Sequence, residues 1–170
     1  MILAEPIERH VISLLVDNEP GVLARVVGLF SGRGYNIESL TVAEVEIGKA
    51  LSRINVVTSG SSMIIEQIKA QLDRLVPIHK VSDLTDEGAH VERELTLVKV
   101  VNNGEKRSQS LELAKEFQAT VIDDDRDSLV IEIVSDTERV NSFIQRMEPL
   151  GLVEISRTGV VAILRGKLSI

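Results

Sequence analysis

The sequence contains no cysteine and no tryptophan, and only 2% of its 170 residues are aromatic. Without cysteine there is no disulfide framework, no thiolate nucleophile and no cysteine-ligated metal centre. With so few rings, a hydrophobic core has to be built from valine, isoleucine and leucine, and β-branched residues favour strands. Apolar residues make up 44% of the chain, which is enough for a packed core and argues against wholesale disorder.

Basic residues are fewer than acidic ones: the chain has 19 Lys and Arg and 26 Asp and Glu, which gives a net charge of −7. Nucleic acids and anionic membranes are bound by clustered Lys and Arg, so neither is an expected partner. No stretch approaches the roughly 20 apolar residues of a membrane span. The first ten residues, MILAEPIERH, contain acidic residues and no long apolar run, unlike a signal peptide. We therefore expect a cytoplasmic protein.

The most informative stretch is the loop Asp17–Gly21, which follows a strand-like run over residues 10–16. The apolar residues after the loop recur at helical spacing: Val22, Leu23, Val26, Val27 and Phe30. Pro20 suits the first turn of a helix, where its missing N–H costs nothing. Gly21 leaves the backbone open to close approach. The N–H groups at such a helix start attract anions, including a ligand carboxylate, although the same residues often only make a turn.

The first half of the chain predicts the element order β-α-β-β-α-β, which is that of a ferredoxin-like unit. The predicted elements are a strand at 10–16, a helix at 20–33, strands at 36–46 and 50–58, a helix at 62–75 and a strand at 78–84. A turn at Glu46–Lys49 joins the second and third strands, with Gly48 giving the backbone freedom that a hairpin needs. Residues 85–90 are polar and weakly patterned, and we interpret them as a linker.

The same order repeats in residues 91–170. The predicted elements are a strand at 91–101, a turn at 102–105, a helix at 108–118, strands at 119–123 and 128–134, a helix after the capping box Ser135–Glu138, and a strand at 152–164 that is interrupted near Thr158–Gly159. We therefore predict an α+β fold of two ferredoxin-like βαββαβ units, residues 1–84 and 91–170. Each unit is an antiparallel sheet with helices on one face. The other face is also rather apolar, so we expect another copy of the chain to cover it.

No convincing catalytic or metal-binding constellation is present. The three histidines, His10, His79 and His90, are far apart and lack metal-ligand spacing. The acidic run Asp123–Asp127 lacks the glycine and distal glutamate of an EF-hand loop. Neither a G-x-S-x-G elbow nor a phosphate-binding P-loop occurs. We therefore expect no catalytic residues and no metal site in this chain.

Two parts of the sequence resemble a known family. The segments Leu14–Ser31 and Arg33–Val42 are similar to the helix-flanking motif of the small regulatory subunits of acetohydroxyacid synthase (acetolactate synthase). The closing segment Ile155–Gly166, ISRTGVVAILRG, resembles the C-terminus of that family. The resemblance extends from His10 to Gly166, whereas a D-x-x-G-x-L loop alone would indicate only the broader class of ACT domains.

The resemblance implies a non-catalytic subunit. Residues 1–84 would be an ACT domain for amino-acid sensing and dimerisation, and residues 91–170 a related regulatory domain. Such a chain forms a homodimer or higher oligomer, activates the catalytic subunit and confers feedback inhibition by valine, leucine or isoleucine in branched-chain amino-acid biosynthesis. Thiamine diphosphate, flavin and magnesium belong to the catalytic subunit in this family, so we expect no cofactor in this chain.

The family's effector site lies at the interface between two ACT domains. The resemblance assigns six residues of this sequence to it: Asn18, Gly21, Val22, Leu23, Asn36 and Ile37. An amino-acid zwitterion needs N–H donors for its carboxylate and oxygen acceptors for its ammonium. The helix start supplies the donors, and the side-chain oxygens of Asn18 and Asn36 supply acceptors. One methylene is worth only ~0.8 kcal/mol, so the sequence does not rank valine against leucine.

Three other functions are alternatives to this one. An enzyme on the same scaffold is disfavoured because the sequence has no nucleophile or ligand cluster. RNA-recognition domains share the element order but need exposed aromatic residues on a basic sheet, whereas the rings here lie on or beside predicted helices: Phe30, Tyr35, Phe117 and Phe143. An ACT-type sensor that regulates a different biosynthetic enzyme or a transcription factor differs only in its partner, and that alternative stays open.

Overall fold

The computed structural model describes residues 6–46 and 48–170. The strands are β1 Glu8–Asp17, β2 Ser39–Glu46, β3 Leu51–Gly60, β4 Ile78–Asp83, β5 His90–Val101, β6 Thr120–Asp124, β7 Ser128–Ser135, β8 Leu152–Arg157 and β9 Val161–Leu164. The helices are α1 Val22–Ser31, α2 Ser62–Leu72, α3 Leu84–Glu87, α4 Gly104–Phe117 and α5 Thr137–Met147, with a short 3-10 helix at Glu148–Leu150. None of the helices in the described ranges is long and apolar enough to cross a membrane. Ile47 of the predicted turn at 46–49 and the first five residues lie outside the described ranges.

The chain forms two compact units, one of residues up to Val91 together with residues 160–170, and the other of residues 92–159. The first unit contains an antiparallel sheet of strand order β2-β3-β1-β4, and the second sheet has the order β6-β7-β5-β8, with β9 as a fifth strand that pairs with β5. In each, the two central strands are the first and third of a β-α-β-β-α-β sequence, as in a ferredoxin-like unit. The predicted α+β fold of two such units is confirmed.

Helices α1 and α2 of the first unit cover one face of its sheet. Because β1 pairs with β3 in a register that sets Ile12 opposite Val56 and Leu14 opposite Ile54, alternate residues of both strands share that face. The buried residues of this core are Ile12, Leu14, Val16, Val22, Val26, Leu29, Phe30, Ile54, Val56, Ile65, Ile68 and Leu72. The helical spacing that predicted α1 is therefore the spacing of the side chains that α1 buries.

The second unit has a core of the same kind beneath α4 and α5. Its buried residues are Val98, Val100, Leu113, Ala114, Phe117, Leu129, Ile131, Ile133, Val140, Phe143 and Met147. The rings of Phe117 and Phe143 pack with centroids 5.3 Å apart. Helix α4 begins at Gly104, inside the turn that the sequence predicted at 102–105. The first turns of this helix are polar and exposed, so they carry no apolar period that would have indicated the helix.

The structure places the unit boundaries differently from the predicted 1–84, 85–90 and 91–170. Part of the predicted linker is helix α3, and Leu84 at its start is fully buried. The Asp83 carboxylate caps this helix by accepting the Thr85 N–H at 3.1 Å. The Thr85 hydroxyl accepts the Val11 N–H at 3.1 Å. These contacts make α3 part of the first unit. The sequence did not predict this helix because only one of its side chains faces the core and the others are polar.

The last strand predicted, over 152–164, is two strands that belong to different units. Gly159, with a left-handed φ of 86°, lies between them. The buried residues after it form a second cluster with residues of the first unit: Val11, Val57, Leu84, Val160, Ala162 and Leu164. Val11 and Val57 alternate with the core residues Ile12 and Val56, so this cluster lies on the opposite face of the first sheet. The chain itself therefore covers part of the face that we expected another copy to cover.

We expect Leu84→Ala to lower the free energy of unfolding by about 2–5 kcal/mol, because it leaves a cavity in the second cluster. The exposed Leu168 offers a control, since Leu168→Ala should change the free energy by no more than about 0.5 kcal/mol. Denaturant titration followed by circular dichroism measures both. Equal effects of the two substitutions would show that α3 does not contribute to the core of the first unit.

Candidate functional site

The predicted loop connects β1, which ends at Asp17, to α1, which begins at Val22. Gly21 precedes the helix with φ 91° and ψ −11°, a left-handed conformation that glycine adopts without strain. Pro20 therefore lies before the helix and not in its first turn as predicted, because a helix cannot run through a residue with positive φ. The spacing of the apolar residues correctly predicted a helix after this loop, but the predicted start at Pro20 was two residues too early.

The first turn of α1 presents N–H groups that the helix does not use. Gly21 has no side chain and so makes no cap. The first intrahelical bond is donated by the Arg25 N–H to the Gly21 carbonyl at 3.0 Å. The N–H groups of Leu23 and Ala24 precede that bond and have no partner within a helix. No acidic side chain stands in this turn, so it can accept an anion such as a carboxylate.

The four predicted site residues around this helix start differ in exposure. Asn18, Gly21 and Leu23 are exposed, whereas Val22 is buried in the core. The loop is held against the start of the neighbouring strand, because the Asn18 N–H donates to the Ala50 carbonyl at 2.6 Å. The Asn18 side chain and the backbone of Gly21 thus face outward from a fixed loop, and Val22 contributes only through its backbone.

The other two predicted site residues, Asn36 and Ile37, lie in the extended segment between α1 and β2. The Thr58 hydroxyl donates to the Asn36 carbonyl at 2.7 Å, which fixes the segment against β3. Asn36 is exposed. Ile37 is partly buried and packs against the core of the first unit. This pair therefore offers an amide side chain beside an apolar one.

One chain does not bring these two groups together. Asn18 bonds to Ala50, just before β3, whereas Asn36 bonds to Thr58, near the end of β3. The eight steps along the strand from Ala50 to Thr58 span about 26 Å at roughly 3.3 Å per strand residue. Helix α1 runs between the two groups, from the end of one to the start of the other. The predicted residues thus form two groups at opposite ends of the first unit.

The equivalent strand-to-helix junction of the second unit lies between β5 and α4, and its asparagine has a different environment from Asn18. Asn102 is buried there. Its side-chain NH₂ group donates to the Leu150 carbonyl at 2.7 Å and to the Ser110 hydroxyl at 2.9 Å. The asparagine at this junction is therefore engaged in holding the second unit together, whereas the side chain of Asn18 in the first unit is exposed.

A cluster that sequence reasoning missed brings His10, Asp83 and Asp86 together, with possible metal-ligand atoms all within 4.8 Å of one another. His10 and Asp83 are buried and bonded at 2.9 Å. The Lys69 ammonium lies 2.9 Å from Asp86 and 3.6 Å from Asp83. These groups are far apart in sequence, and the bonded pair is separated by 73 positions, so no local pattern could have revealed them.

The pKa shifts in this cluster are those of an ion-pair network. Burial raises the pKa of the Asp83 carboxyl, and His10 opposes that shift. The hydrogen bond from Lys69 lowers the pKa of Asp86. Burial acts to lower the pKa of Lys69, but its hydrogen bonds to Glu66 and Asp86 raise the pKa overall. A metal ion would have to displace this charged ammonium.

Comparison with known proteins gives two family matches that together span most of the chain. Residues 12–80 match the ACT domain of the AHAS small-subunit type. Residues 93–166 match the family described as the small subunit of acetolactate synthase. The two matches fall on the two repeats that the element order predicted.

Individual relatives are similar over nearly their whole length. A probable acetolactate synthase small subunit of Archaeoglobus fulgidus is 46% identical over 158 residues, which is 93% of this chain and 98% of the relative. The acetolactate synthase isozyme 3 small subunit of Salmonella typhimurium is 40% identical, over 93% of this chain and 96% of the relative. The crystal structure of the acetolactate synthase small subunit from Thermotoga maritima superposes with a TM-score of 0.83 at 37% identity, over 95% of this chain and 99% of that one. The chain therefore belongs to the family of acetolactate synthase small subunits.

Proposed function

We propose that this chain stimulates the catalytic subunit of acetohydroxyacid synthase and confers feedback inhibition by valine, leucine or isoleucine. The observation that carries the proposal is the uncapped start of α1 behind the exposed Gly21, because it is suited to an amino-acid carboxylate. Thiamine diphosphate, flavin and magnesium would then belong to the catalytic subunit, and this chain would hold no cofactor. The assembly would work in the cytoplasm.

The effector site, in this proposal, is shared between two copies of the chain. A two-fold axis places the same surface of each copy against the other, so the α1 start of one can meet the Asn36 segment of its partner. The carboxylate would accept from the N–H groups of Leu23 and Ala24. Amide oxygens of Asn18 and the partner's Asn36 would accept from the ammonium, and Leu23 and Ile37 would line the branched side chain. The chain is then at least a homodimer.

The two units would have separate tasks. The first, predicted over residues 1–84, would bind the amino acid and dimerise, while the second, predicted over 91–170, would tune the response of the catalytic subunit. The difference between their strand-to-helix junctions supports this division, because Asn18 is exposed and Asn102 is buried and bonded within its own unit.

Valine, leucine or isoleucine should raise the melting temperature of the chain, because a ligand that binds only the folded state stabilises it by about 2.7 kcal/mol at 100 times its Kd. Differential scanning fluorimetry over a millimolar range measures the shift. Valinol is the matched control, since it keeps the ammonium and the side chain but has no carboxylate, and it should leave the melting temperature unchanged. A flat response to all three amino acids would count against the site.

The identity of the partner is tested by reconstitution. Acetolactate formation by the catalytic subunit of the same organism should rise when the chain is added and fall when valine is then supplied. Binding of valine without any stimulation would instead favour an ACT-type sensor of a different biosynthetic enzyme or a transcription factor. Turnover by the chain alone would contradict a non-catalytic subunit.

A further inference from the structure

The C-terminal segment, residues 160–170, lies on the face of the first sheet that α1 and α2 leave open. Alternate side chains at its start are buried: Val160, Ala162 and Leu164. Val161 and Ile163 between them are 51% and 58% exposed. One side of the segment is apolar and packs on the sheet. Shielding the open face of the sheet from water would be enough to explain this pattern.

The attachment of this segment to β2 is more specific than covering requires. The Ser39 hydroxyl oxygen accepts the Val160 N–H at 2.7 Å. The Thr41 hydroxyl donates to the Val160 carbonyl at 3.1 Å. The Asn55 side-chain NH₂ group in turn donates to the Thr41 oxygen at 3.1 Å, which leaves the Thr41 proton directed at Val160. Both backbone groups of Val160 are therefore bonded by hydroxyl side chains, and we call this arrangement the Val160 clamp.

Along the chain, the Val160 clamp is close to the candidate effector residues Asn36 and Ile37 and is joined directly to the second unit. Ser39, at the start of β2, is separated from Ile37 only by Glu38. Val160 directly follows Gly159, the last residue of the second unit. Hydrogen bonds tolerate only a few tenths of an ångström, so a shift of about 1 Å at the start of β2 either carries Val160 along or breaks the clamp.

We propose that the Val160 clamp couples amino-acid binding in the first unit to the second unit. The inference rests on the proposed function, because it assigns a route to the regulation proposed above. Binding at Asn36 shifts the start of β2, Val160 moves with it, and the shift reaches the second unit through Gly159. Coupling between sites requires an element that both ends can bias. Ser39 and Thr41 are therefore positioning residues that transmit the signal without touching the amino acid.

The test removes both hydroxyls by Ser39→Ala together with Thr41→Val. The double variant should bind valine within about threefold of the wild-type affinity and stimulate the catalytic subunit normally, but lose more than about half of the inhibition at saturating valine. Thr120→Val makes the same chemical change at an exposed position of β6 and should keep full inhibition. Thr41→Ser retains the hydroxyl and should also keep it. Calorimetry and acetolactate formation by the reconstituted pair give the two readouts.

Hydrogen exchange on the wild-type chain tests the proposal without any substitution. Valine should change the exchange rate of the Val160 amide at least about fivefold. Full inhibition in the folded double variant, or an exchange rate at Val160 that valine does not alter, would overturn the clamp and leave the proposed function standing. If the wild-type chain itself binds no branched-chain amino acid, the proposed function and the clamp both fail.

Discussion

Gly21→Asp should weaken the binding of branched-chain amino acids by at least about 100-fold. In the proposed site the ligand carboxylate lies on the N–H groups that directly follow Gly21, so the new carboxylate would stand beside another negative charge. Two unit charges about 4 Å apart repel by about 4 kcal/mol at an effective dielectric constant of 20. In the proposed function, stimulation of the catalytic subunit does not depend on the effector, so the variant should keep acetolactate formation at its stimulated rate in the presence of valine.

The backbone of Gly21 calls for a matched control. Its φ of 91° lies in the left-handed region, where a residue other than glycine has a conformational free energy roughly 1–2 kcal/mol less favourable. A Cβ at this position would meet nothing within 4 Å, so the chain itself presents no steric clash. Asn has the shape of Asp and tolerates the left-handed region about as well, so Gly21→Asn carries the same strain without the charge. We expect the two variants to be similarly stable and only Gly21→Asp to lose inhibition fully.

Acetolactate formation over a range of valine concentrations, with wild type and both variants, separates the explanations. Full valine inhibition of a folded Gly21→Asp variant would mean that the carboxylate does not lie at the start of α1 and that the loop only makes a turn. Equal loss in both variants would assign the effect to the added side chain and not to its charge. Circular dichroism establishes that each variant is folded before the comparison is made.

The sequence predicted the elements well because their buried faces repeat with the period of the element. Ile12 and Leu14 alternate with outward residues in β1, and Val22, Val26 and Phe30 follow the turns of α1. Periodicity carries no information about φ, and the left-handed conformation of Gly21 therefore moved the helix start past Pro20. Helix α3 buries only one large side chain at its start, so no period was available to reveal it.

The sequence pattern could not predict which residues distant in sequence pack together or form hydrogen bonds. Val160, Ala162 and Leu164 alternate like any strand, and alternation does not tell which sheet a strand will pack on. The Val160 carbonyl finds its partner at Thr41, 119 residues away in sequence. A division of the chain near residue 84 would therefore remove β9 from the core of the first unit, a consequence that only the fold makes visible.

The family motif names the residues of the candidate site, but it does not give their geometry. The family motif named Asn18 and Asn36, and both are exposed in the structure. Their separation follows from the register of β1 and β3, which pairs Asp17 with Leu51 and His10 with Thr58. A linear motif cannot express that separation, and it is the reason why the proposed site needs two copies of the chain.

A mixed dimer provides the strongest test of a shared site. One copy carries Gly21→Asp and the other carries Asn36→Ala, and each copy bears a different affinity tag. In the shared arrangement, one site of the mixed dimer combines both substitutions, whereas the other combines the intact loop of one copy with the intact Asn36 of its partner. The mixed dimer should therefore regain one valine site of wild-type affinity, although each variant homodimer has none.

The stoichiometry of binding decides between the two geometries. Calorimetry on mixed dimers purified through both tags should give one valine per dimer, against two for the wild type and none for either variant homodimer. If the site lay within one chain, every copy in the mixed dimer would be defective and no binding would return. Sedimentation of the wild-type chain as a monomer at micromolar concentration would exclude the shared site directly. Recovery of half the sites is an outcome that general destabilisation cannot produce, because each substitution is still present in the dimer that binds.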